Sequence, residues 1–303
     1  MESKRRVGVG GSSGLIGTAL RRSLESDGYE VVPIVRRVAR PGEIEWDPTA
    51  GRLSPDDIAT LDAVVNLAGA GIGDHRWSDS YRQTILASRV ETTTLLADTF
   101  ATLGTDAPAT LLNASAIGFY GDRGDVELTE QSPPGVGFLA DVCTAWEAAT
   151  DPAREVSRVI NLRTGIVLVS GGGALAKMLP LFKFGLGGRF GDGNQWMSWI
   201  TLHDEIRAIV HLLTSDVGGP MNLTAPHPVT NREFADTLGS VLHRPTLIPV
   251  PEFGPKLLLG KELAQALLFD SARVQPTVLE GDGFTFDHPV LEGALRFVVD
   301  KEG

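Results

Sequence analysis

The amino-acid sequence predicts an α/β fold, in which a parallel β-sheet carries helices on both of its faces. Short apolar runs that are typical of buried strands alternate with longer segments that have helical spacing. Strands and helices alternate in this way in parallel sheets, because each parallel strand pair needs a long crossover connection. The second observation is a glycine-rich loop that joins the first strand directly to the first helix.

The elements of this sheet can be identified in order along the chain. Residues 7–9 form the first apolar run, and apolar residues at helical spacing follow it until Gly28, which ends the helix. The segment YRQTILASRVETTTLLADTFATLG (81–104) is a second predicted helix. The further predicted strands are YEVVPIVRR (29–37), LDAVVNLAG (61–69), ATLLNASA (109–116) and RVINLRTGIVLV (158–169).

The character of the sequence changes after residue 170. Residues 170–199 are rich in glycine and aromatic residues, which predicts a long excursion rather than another sheet layer. A helix (202–216) and one more strand (220–226) follow this excursion. The tail is predicted to form a small lobe with a helix over 231–242, a strand over 245–251, a helix around 256–268 and a last helix over 290–299.

Composition narrows the class of protein and its partners. The chain has 303 residues, 42% of them hydrophobic, and no apolar run long enough to span a membrane. Its formal net charge of −11 makes nucleic acid a poor partner, because phosphates attract basic surfaces. The N-terminus shows no signal-peptide core, and the only cysteine, Cys143, excludes an internal disulfide. We therefore expect a cytoplasmic protein with a small-molecule partner and with neither a nucleic-acid nor a membrane partner.

The strongest functional signal is the loop VGVGGSSGLIG (7–17). Only glycine lets the backbone turn tightly and approach a pyrophosphate, and the helix N-terminus behind the loop offers free N–H groups. The spacing is Gly-x-x-Gly-x-x-Gly, one residue longer than Gly-x-Gly-x-x-Gly. The alternative is a glycine-rich turn that serves packing alone. The predicted dinucleotide-binding residues are Gly11, Ser12, Ser13, Gly14, Leu15, Ile16 and Gly17.

The end of the second strand indicates which dinucleotide binds. An acidic residue there would hold the ribose 2′-hydroxyl of NAD, whereas an arginine meets the 2′-phosphate of NADP. Arg36 and Arg37 stand at this place and no acidic residue does, so the sequence favours NADP(H). The alternative is that both arginines only solvate a loop.

Several motifs resemble the short-chain dehydrogenase/reductase superfamily in its extended form, which is similar to sugar-nucleotide epimerases. These motifs are GGSSGLIG (10–17), NLAG (66–69) and NASAIGFYG (113–121). Together with LTEQSPPG, FLADVCTAWEAA, GDGNQWMSWITLHD and GFTFDHPVLEGAL, they resemble one subgroup of the NAD-dependent epimerase/dehydratase family. Members of this subgroup are called epimerase family proteins, and some carry cell-division-inhibitor labels.

The resemblance implies a Rossmann-type, doubly wound domain that binds NAD(P), and a smaller substrate lobe. On this basis we predict an NADP-binding domain over residues 1–170 and about 201–225, and a substrate lobe from about 171–200 and 226–303. The resemblance also implies that Leu67, Ala68 and Gly69 lie under the adenosine side of the cofactor. It likewise implies that Ser115 stands where the catalytic serine stands and that Cys143 faces the cofactor. The favoured alternative for Cys143 is a small buried side chain.

The helix that carries the rest of the usual catalyst departs from the superfamily pattern. That catalyst is Asn, Ser, Tyr and Lys, in which tyrosine transfers a proton, while lysine lowers the tyrosine pKa and holds the nicotinamide ribose. Alignment on Glu147 places Leu139 at the tyrosine and Cys143 at the lysine, and Ser88 falls at the asparagine. Only Ser115 remains of the four.

Tyr120 is the candidate to replace the missing tyrosine, because it lies five residues after Ser115. Its alternative role is packing in the loop. Cys143 cannot supply the positive charge of lysine, because a thiol is neutral or negative. The catalytic candidates are therefore Ser115 and Tyr120.

The glycine-rich excursion offers polar and aromatic side chains that could border a substrate. Arginine binds phosphates and aromatic rings pack on sugars or bases, so such side chains suit a nucleotide-sugar-like molecule. Asp204 is a candidate N-cap of the helix that follows. The six histidines are scattered and lack zinc-helix spacing, so no metal is expected. The substrate candidates are Lys177, Arg189, Gln195, Trp196 and Trp199.

Two functions compete. The first is an NADP(H)-dependent oxidoreductase or isomerase, which acts on an unidentified small polar or nucleotide-sugar-like substrate through an altered proton relay. The second is a non-catalytic NADP(H)-binding redox sensor or interaction protein, with a link to cell division. A homodimer is expected by analogy with the superfamily.

Overall fold

The computed structural model describes residues 4–247 and 249–300. Its strands are β1 (Arg6–Gly10), β2 (Glu30–Val35), β3 (Ile44–Asp47), β4 (Arg52–Leu53), β5 (Ala63–Asn66), β6 (Thr110–Ala116), β7 (Glu127–Leu128), β8 (Arg158–Thr164), β9 (Ile166–Leu168), β10 (Trp196–Met197), β11 (Trp199–Thr201), β12 (Gly219–Leu223), β13 (Val229–Thr230) and β14 (Arg273–Val274).

The helices are α1 (Leu15–Ser26), α2 (Pro55–Ile58), α3 (Asp79–Leu103), α4 (Phe138–Ala148), α5 (Gly173–Lys183), α6 (Leu202–Thr214), α7 (Asn231–Leu242), α8 (Phe253–Leu259), α9 (Lys261–Ala264), α10 (Thr277–Gly281) and α11 (Leu291–Asp300). Short 3-10 turns span Gly104–Asp106, Ile117–Tyr120 and Asp151–Ala153, and a π-helical turn spans Gln265–Phe269. None of the helices in the described ranges is long and apolar enough to cross a membrane.

Eight strands form one sheet in the order β12-β8-β6-β5-β1-β2-β3-β4. Every neighbouring pair from β12 to β3 is parallel, and only β3 and β4 pair antiparallel. The chain leaves β1 toward β2 and β3, and later returns to the other side of β1 with β5. Ligands of open α/β sheets bind at such a reversal, beyond the carboxyl ends of the strands. The α/β, doubly wound fold class is confirmed.

Both faces of the sheet are buried, which explains why its strands are almost continuously apolar. Successive residues of a strand point to opposite faces. In β5, Ala63 and Val65 pack in the apolar cluster that contains Leu20 of α1, whereas Val64 packs in the cluster that contains Phe100 of α3. The sheet is therefore a rigid support for the loops at its carboxyl edge.

A third apolar cluster lies beyond the sheet. It joins β9, α5, α7 and α11, and its buried members include Leu179, Phe234 and Leu295. The excursion after β9 is thus tied to the C-terminal helices by apolar packing. The division of the chain into a cofactor domain and a substrate lobe stays a prediction.

Two predicted strands have a different form in the structure. The run 158–169 is not one strand, because Gly165 separates β8 from β9, and a Cβ at Gly165 would stand 2.8 Å from the carbonyl oxygen of Ser198. The expected strand over 245–251 is absent from the described part of that segment, which contains only an isolated bridge between Phe190 and Val250. Ile248 lies outside the described residues.

The helical content after residue 170 also differs from expectation. Residues 170–199 contain α5, which was not predicted because the glycines and Pro180 in this segment are unfavourable in helices. The helix expected around 256–268 is divided into α8, α9 and the π-helical turn, because Gly260 adopts φ of +93° between α8 and α9. A left-handed backbone at that point is open to glycine and breaks the helix.

Candidate functional site

The glycine loop after β1 is packed so closely that two of its glycine positions have no room for a side chain. Gly11 has φ of +71°, and a Cβ there would stand 2.6 Å from the carbonyl oxygen of Leu67. A Cβ at Gly17 would overlap the carbonyl oxygen of Gly11. A Cβ at Gly14 would only approach that oxygen, at 3.3 Å. The loop is therefore a cradle of bare backbone at the carboxyl end of β1, in the region beyond the carboxyl ends of β1, β5 and β6 that we call the cleft.

The N-terminus of α1 stands directly behind this cradle. Gly14 is its N-cap and offers no side-chain acceptor, so the first N–H groups of the helix stay available. Ser12 is buried, whereas Ser13, Gly14 and Leu15 are exposed. Available N–H groups and the helix dipole favour an anion at this point.

The loop after β5 forms the second wall of the cleft. The Leu67 N–H donates to the carbonyl oxygen of Gly10 at 3.0 Å, and the Ala68 N–H donates to Asn66 Oδ1 at 3.2 Å. Gly69 is exposed at the tip of this segment. The structure thus brings residues 67–69 against the glycine loop. Ile16 turns inward instead and packs on the core.

The two arginines after β2 have different surroundings. Arg37 donates to both carboxylate oxygens of Glu43, at 2.7 and 2.6 Å. The pKa of Glu43 falls to about 2, chiefly because of the hydrogen bonds from Arg37 and then that from the Arg40 backbone. Arg36 is exposed and makes no hydrogen bond or ion pair within the described ranges. The guanidinium free to meet a phosphate is therefore that of Arg36.

Ser115 lies at the carboxyl end of β6 and is held by a buried ion pair. Its Oγ donates to Glu147 Oε1 at 2.7 Å. Arg163 of β8 clamps the same carboxylate through Nε and Nη2, both at 2.8 Å. The Arg163 and Glu147 side chains are 4% and 12% exposed, so this pair is shielded from solvent. The geometry fixes the serine hydroxyl and directs its proton to Glu147.

Tyr120 has no exposed surface. Its hydroxyl lies 2.7 Å from Asn222 Oδ1 and 3.1 Å from the Thr129 carbonyl oxygen, and it accepts a hydrogen bond from Arg163 Nη1 at 3.0 Å. Burial raises the pKa of Tyr120, and Arg163 opposes that shift. The structure thus gives the hydroxyl three partners inside the protein and no face toward the cleft.

The α4 positions of the missing tyrosine and lysine are apolar and neutral. Leu139 and Cys143 lie against the turn after β6, where a Cβ at Gly118 would stand 3.2 Å from Leu139 Cβ and 3.8 Å from Cys143 Sγ. Burial, with a smaller contribution from Glu147, raises the pKa of the Cys143 thiol to about 12. Neither side chain can therefore donate a proton readily or carry a positive charge at neutral pH.

The five substrate candidates do not converge on one surface. Lys177 is exposed and reaches over the loop after β5, where a Cβ at Gly73 would stand 3.7 Å from its Nζ. Gln195 Nε2 donates to the carbonyl oxygen of Leu268 at 2.7 Å. Trp199 has no exposed surface and therefore no face for a substrate, so the structure assigns it to the third apolar cluster.

The other two candidates pack locally. Trp196 donates from Nε1 to Asp125 Oδ1 at 2.9 Å, and the guanidinium of Arg273 lies over its ring at 4.6 Å. Arg189 lies against Gly193, and its buried Nε has no acceptor among the described residues. Of the five, Lys177 is the one whose charged group reaches the loop beside the cleft.

Thr201, not Asp204, caps α6. The Thr201 side chain accepts from the Asp204 N–H, while the Asp204 carboxylate accepts from the backbone N–H groups of Asp287 and His288, both at 2.9 Å. The side chains of His203, Asp204 and Asp287 lie close together. Arg207 already forms ion pairs with both Asp204 and Asp287. This group therefore ties the C-terminal segment to α6.

Arg163 is a site residue that the sequence did not single out. Its available signal was a charged residue in the middle of the strand run RVINLRTGIVLV, because a buried cation needs a buried partner. Asn222, which bonds Tyr120, lies 102 residues further along the chain, and no local pattern points to it.

Comparison with known proteins identifies the family to which the chain belongs. Residues 7–224 match the family described as NAD dependent epimerase/dehydratase family, and residues 250–298 match a domain of unknown function. An epimerase family protein of Mycobacterium leprae is 42% identical over 98% of this chain and 97% of its own. The human epimerase family protein SDR39U1, solved with NADPH, is 34% identical and has a TM-score of 0.88 over 97% of this chain and 99% of that chain.

A nucleoside-diphosphate sugar epimerase of Corynebacterium glutamicum is 37% identical, with a TM-score of 0.77 over 97% of this chain and 57% of that chain. The match to the family covers most of the sheet, including the glycine loop and the strand of Ser115. The chain therefore belongs to the NAD dependent epimerase/dehydratase family.

Proposed function

We propose that this protein binds NADP(H) at the carboxyl ends of β1, β2 and β5. The glycine cradle carries this proposal, because Gly11 and Gly17 leave no room for a Cβ beside an uncapped helix N-terminus. That combination fits a pyrophosphate. The exposed Arg36 supports NADP(H) over NAD, since its guanidinium is not neutralised by a neighbour. The human relative solved with NADPH supports the same cofactor.

We further propose an oxidoreductase or epimerase activity on a small polar or nucleotide-sugar-like substrate. Bound NADP(H) supplies hydride exchange. Ser115 is the group proposed to orient a substrate hydroxyl, because its own proton is directed to Glu147 and a hydroxyl oxygen can accept further hydrogen bonds. As the substrate hydroxyl is oxidised, its proton passes to Ser115 Oγ while the serine proton passes to Glu147 Oε1. Arg163 holds the carboxylate in place through hydrogen bonds to both of its oxygens.

Tyr120 is not part of this proposed relay. Its hydroxyl already contacts Arg163, Asn222 and the Thr129 carbonyl inside the protein. We infer that it fixes Arg163 and thereby the orientation of Glu147. A second role, as a non-catalytic NADP(H)-binding sensor, is favoured by Leu139 and the neutral Cys143.

Binding and turnover measurements separate these two functions. The purified protein is titrated with NADPH and NADH by nicotinamide fluorescence, and oxidation of NADPH is then followed with carbonyl compounds and nucleotide sugars. We expect NADPH to bind more tightly and at least one substrate to turn over. Tight NADPH binding without turnover across the panel would favour the sensor, and failure to bind NADPH refutes the proposed function.

Ser115→Ala tests the proposed relay. We expect it to bind NADPH like the unmodified protein and to lose at least about a hundredfold in turnover, as expected when a positioned proton-transfer group is removed. Thr144→Ala is the matched control, because it removes an exposed hydroxyl from α4 that bonds only the carbonyl oxygen of Ala140. Equal turnover of the two variants would contradict the role of Ser115.

A further inference from the structure

Arg89 is a partly buried cation that the cofactor motifs do not include. It lies on α3, and burial lowers its pKa. No carboxylate within the described ranges forms an ion pair with it. Its Nη1 donates to the carbonyl oxygens of Ala70 at 2.9 Å and Ile85 at 3.0 Å. Burying a cation without an anionic partner is costly, so its retention calls for a reason.

The guanidinium lies between the loop after β5 and α4. A Cβ at Gly69 would stand 3.2 Å from Arg89 Cζ, so the arginine packs directly on the tip of the second cleft wall. On the other side, the guanidinium stacks 4.9 Å from the ring of Trp146. Cys143 is three residues earlier, on the same face of α4.

Arg89 therefore places a positive charge next to the position from which the helix lacks its lysine. Its Nε and Nη2 groups have no acceptor among the described residues, and neither is fully buried. The three N–H bonds of these two nitrogens thus stay available. An arginine whose only task was to hold the Ala70 carbonyl would need neither its charge nor these donors.

We propose that Arg89 binds the nicotinamide half of the cofactor, through the ribose hydroxyls or the adjoining phosphate, from the side of α3. This inference rests on the proposed binding of NADP(H). It assigns Arg36 and Arg89 to opposite halves of one dinucleotide. Arg36 distinguishes NADPH from NADH, whereas Arg89 contributes equally to both.

Arg89→Gln tests the assignment with three probes, namely NADPH, NADH and adenosine 2′,5′-bisphosphate. The bisphosphate contains the adenosine half of NADPH but no nicotinamide ribose. Loss of a charge-assisted hydrogen bond weakens binding by about tenfold. We expect that loss for NADPH and NADH, measured by calorimetric titration, with the bisphosphate affinity unchanged. Arg89→Lys keeps the charge and is expected to recover most of the NADPH affinity.

Ser88→Ala is the matched control, because Ser88 Oγ accepts from the Ala70 N–H and so anchors the same loop without a charge. We expect it to change none of the three affinities appreciably. The inference is overturned if Arg89→Gln leaves NADPH and NADH affinities unchanged, weakens all three probes alike, or is matched by Ser88→Ala. If the unmodified protein binds none of the probes, the proposed cofactor itself fails, and that outcome is distinct.

Discussion

Substitution of Arg36 by alanine tests the choice of cofactor most directly. Arg36 is the exposed guanidinium at the carboxyl end of β2, whereas the charge of Arg37 is already paired with Glu43. A hydrogen bond to a charged group contributes ~1.5 kcal/mol at the lower end of its range, which suits an exposed side chain. Since about 1.4 kcal/mol corresponds to a factor of ten, Arg36→Ala should weaken NADPH about tenfold.

The assay is a fluorescence titration with NADPH and NADH at fixed salt, because screening weakens exposed charge pairs. NADH lacks the 2′-phosphate, so its affinity should not change. Arg22→Ala is the charge-matched control: Arg22 is exposed on α1, seven residues or about 10 Å along the helix from Leu15. The reasoning is refuted if NADPH affinity is unaffected, if both cofactors weaken together, or if Arg22→Ala has the same effect.

Three further outcomes follow from contacts and pKa values. Gly17→Ala should abolish measurable NADPH binding, because its Cβ overlaps backbone, whereas Gly14→Ala, with a contact of 3.3 Å, should lose far less; titration of both variants decides. Glu147→Gln should destabilise the protein by ~3 kcal/mol, because it leaves its buried arginine partner unpaired, and denaturant unfolding measures this. Burial raises the pKa of Glu205 to about 8, so native Glu205 is protonated at low pH and the unfolded chain ionises first. The stability of the unmodified protein relative to Glu205→Gln should therefore fall from about pH 4.5 to about pH 8, and equal pH profiles in thermal unfolding would contradict it.

The sheet was predictable from the sequence because its strands are buried on both faces. Each strand is a short apolar run. The glycine spacing in the loop between β1 and α1 is set by a local backbone requirement. Gly11 and Gly17 could therefore be identified as part of a tight backbone turn without knowledge of the tertiary structure. The position of Glu147 on α4 showed that the tyrosine and lysine are missing, whereas the role of Ser115 came from the family resemblance and stays a prediction.

The substrate candidates were harder to assign because residue type does not determine burial. Trp199 has an aromatic ring of the kind that packs on sugars, yet it is completely buried in the apolar cluster that contains residues of α7. Arg36 and Arg37 are adjacent and chemically identical, and only the position of Glu43 distinguishes them. Arg89 gave no signal in the sequence, since its surroundings depend on the packing of α3 on α4. Such tertiary contacts have no local pattern.

The Asp204 carboxylate has a consequence for how the chain reaches its final state. It accepts hydrogen bonds from the backbone N–H groups of Asp287 and His288, which lie 83 and 84 residues later. These bonds can form only after that part of the chain has been synthesised. Until then, the Asp204 carboxylate lacks two of its donors, and the apolar cluster of α5 and α7 lacks the buried residues of α11. A nascent chain that has completed the whole parallel sheet therefore still exposes the apolar surface of α5 and α7, on which α11 later packs. Completion of the last helix is therefore the step that buries this apolar surface.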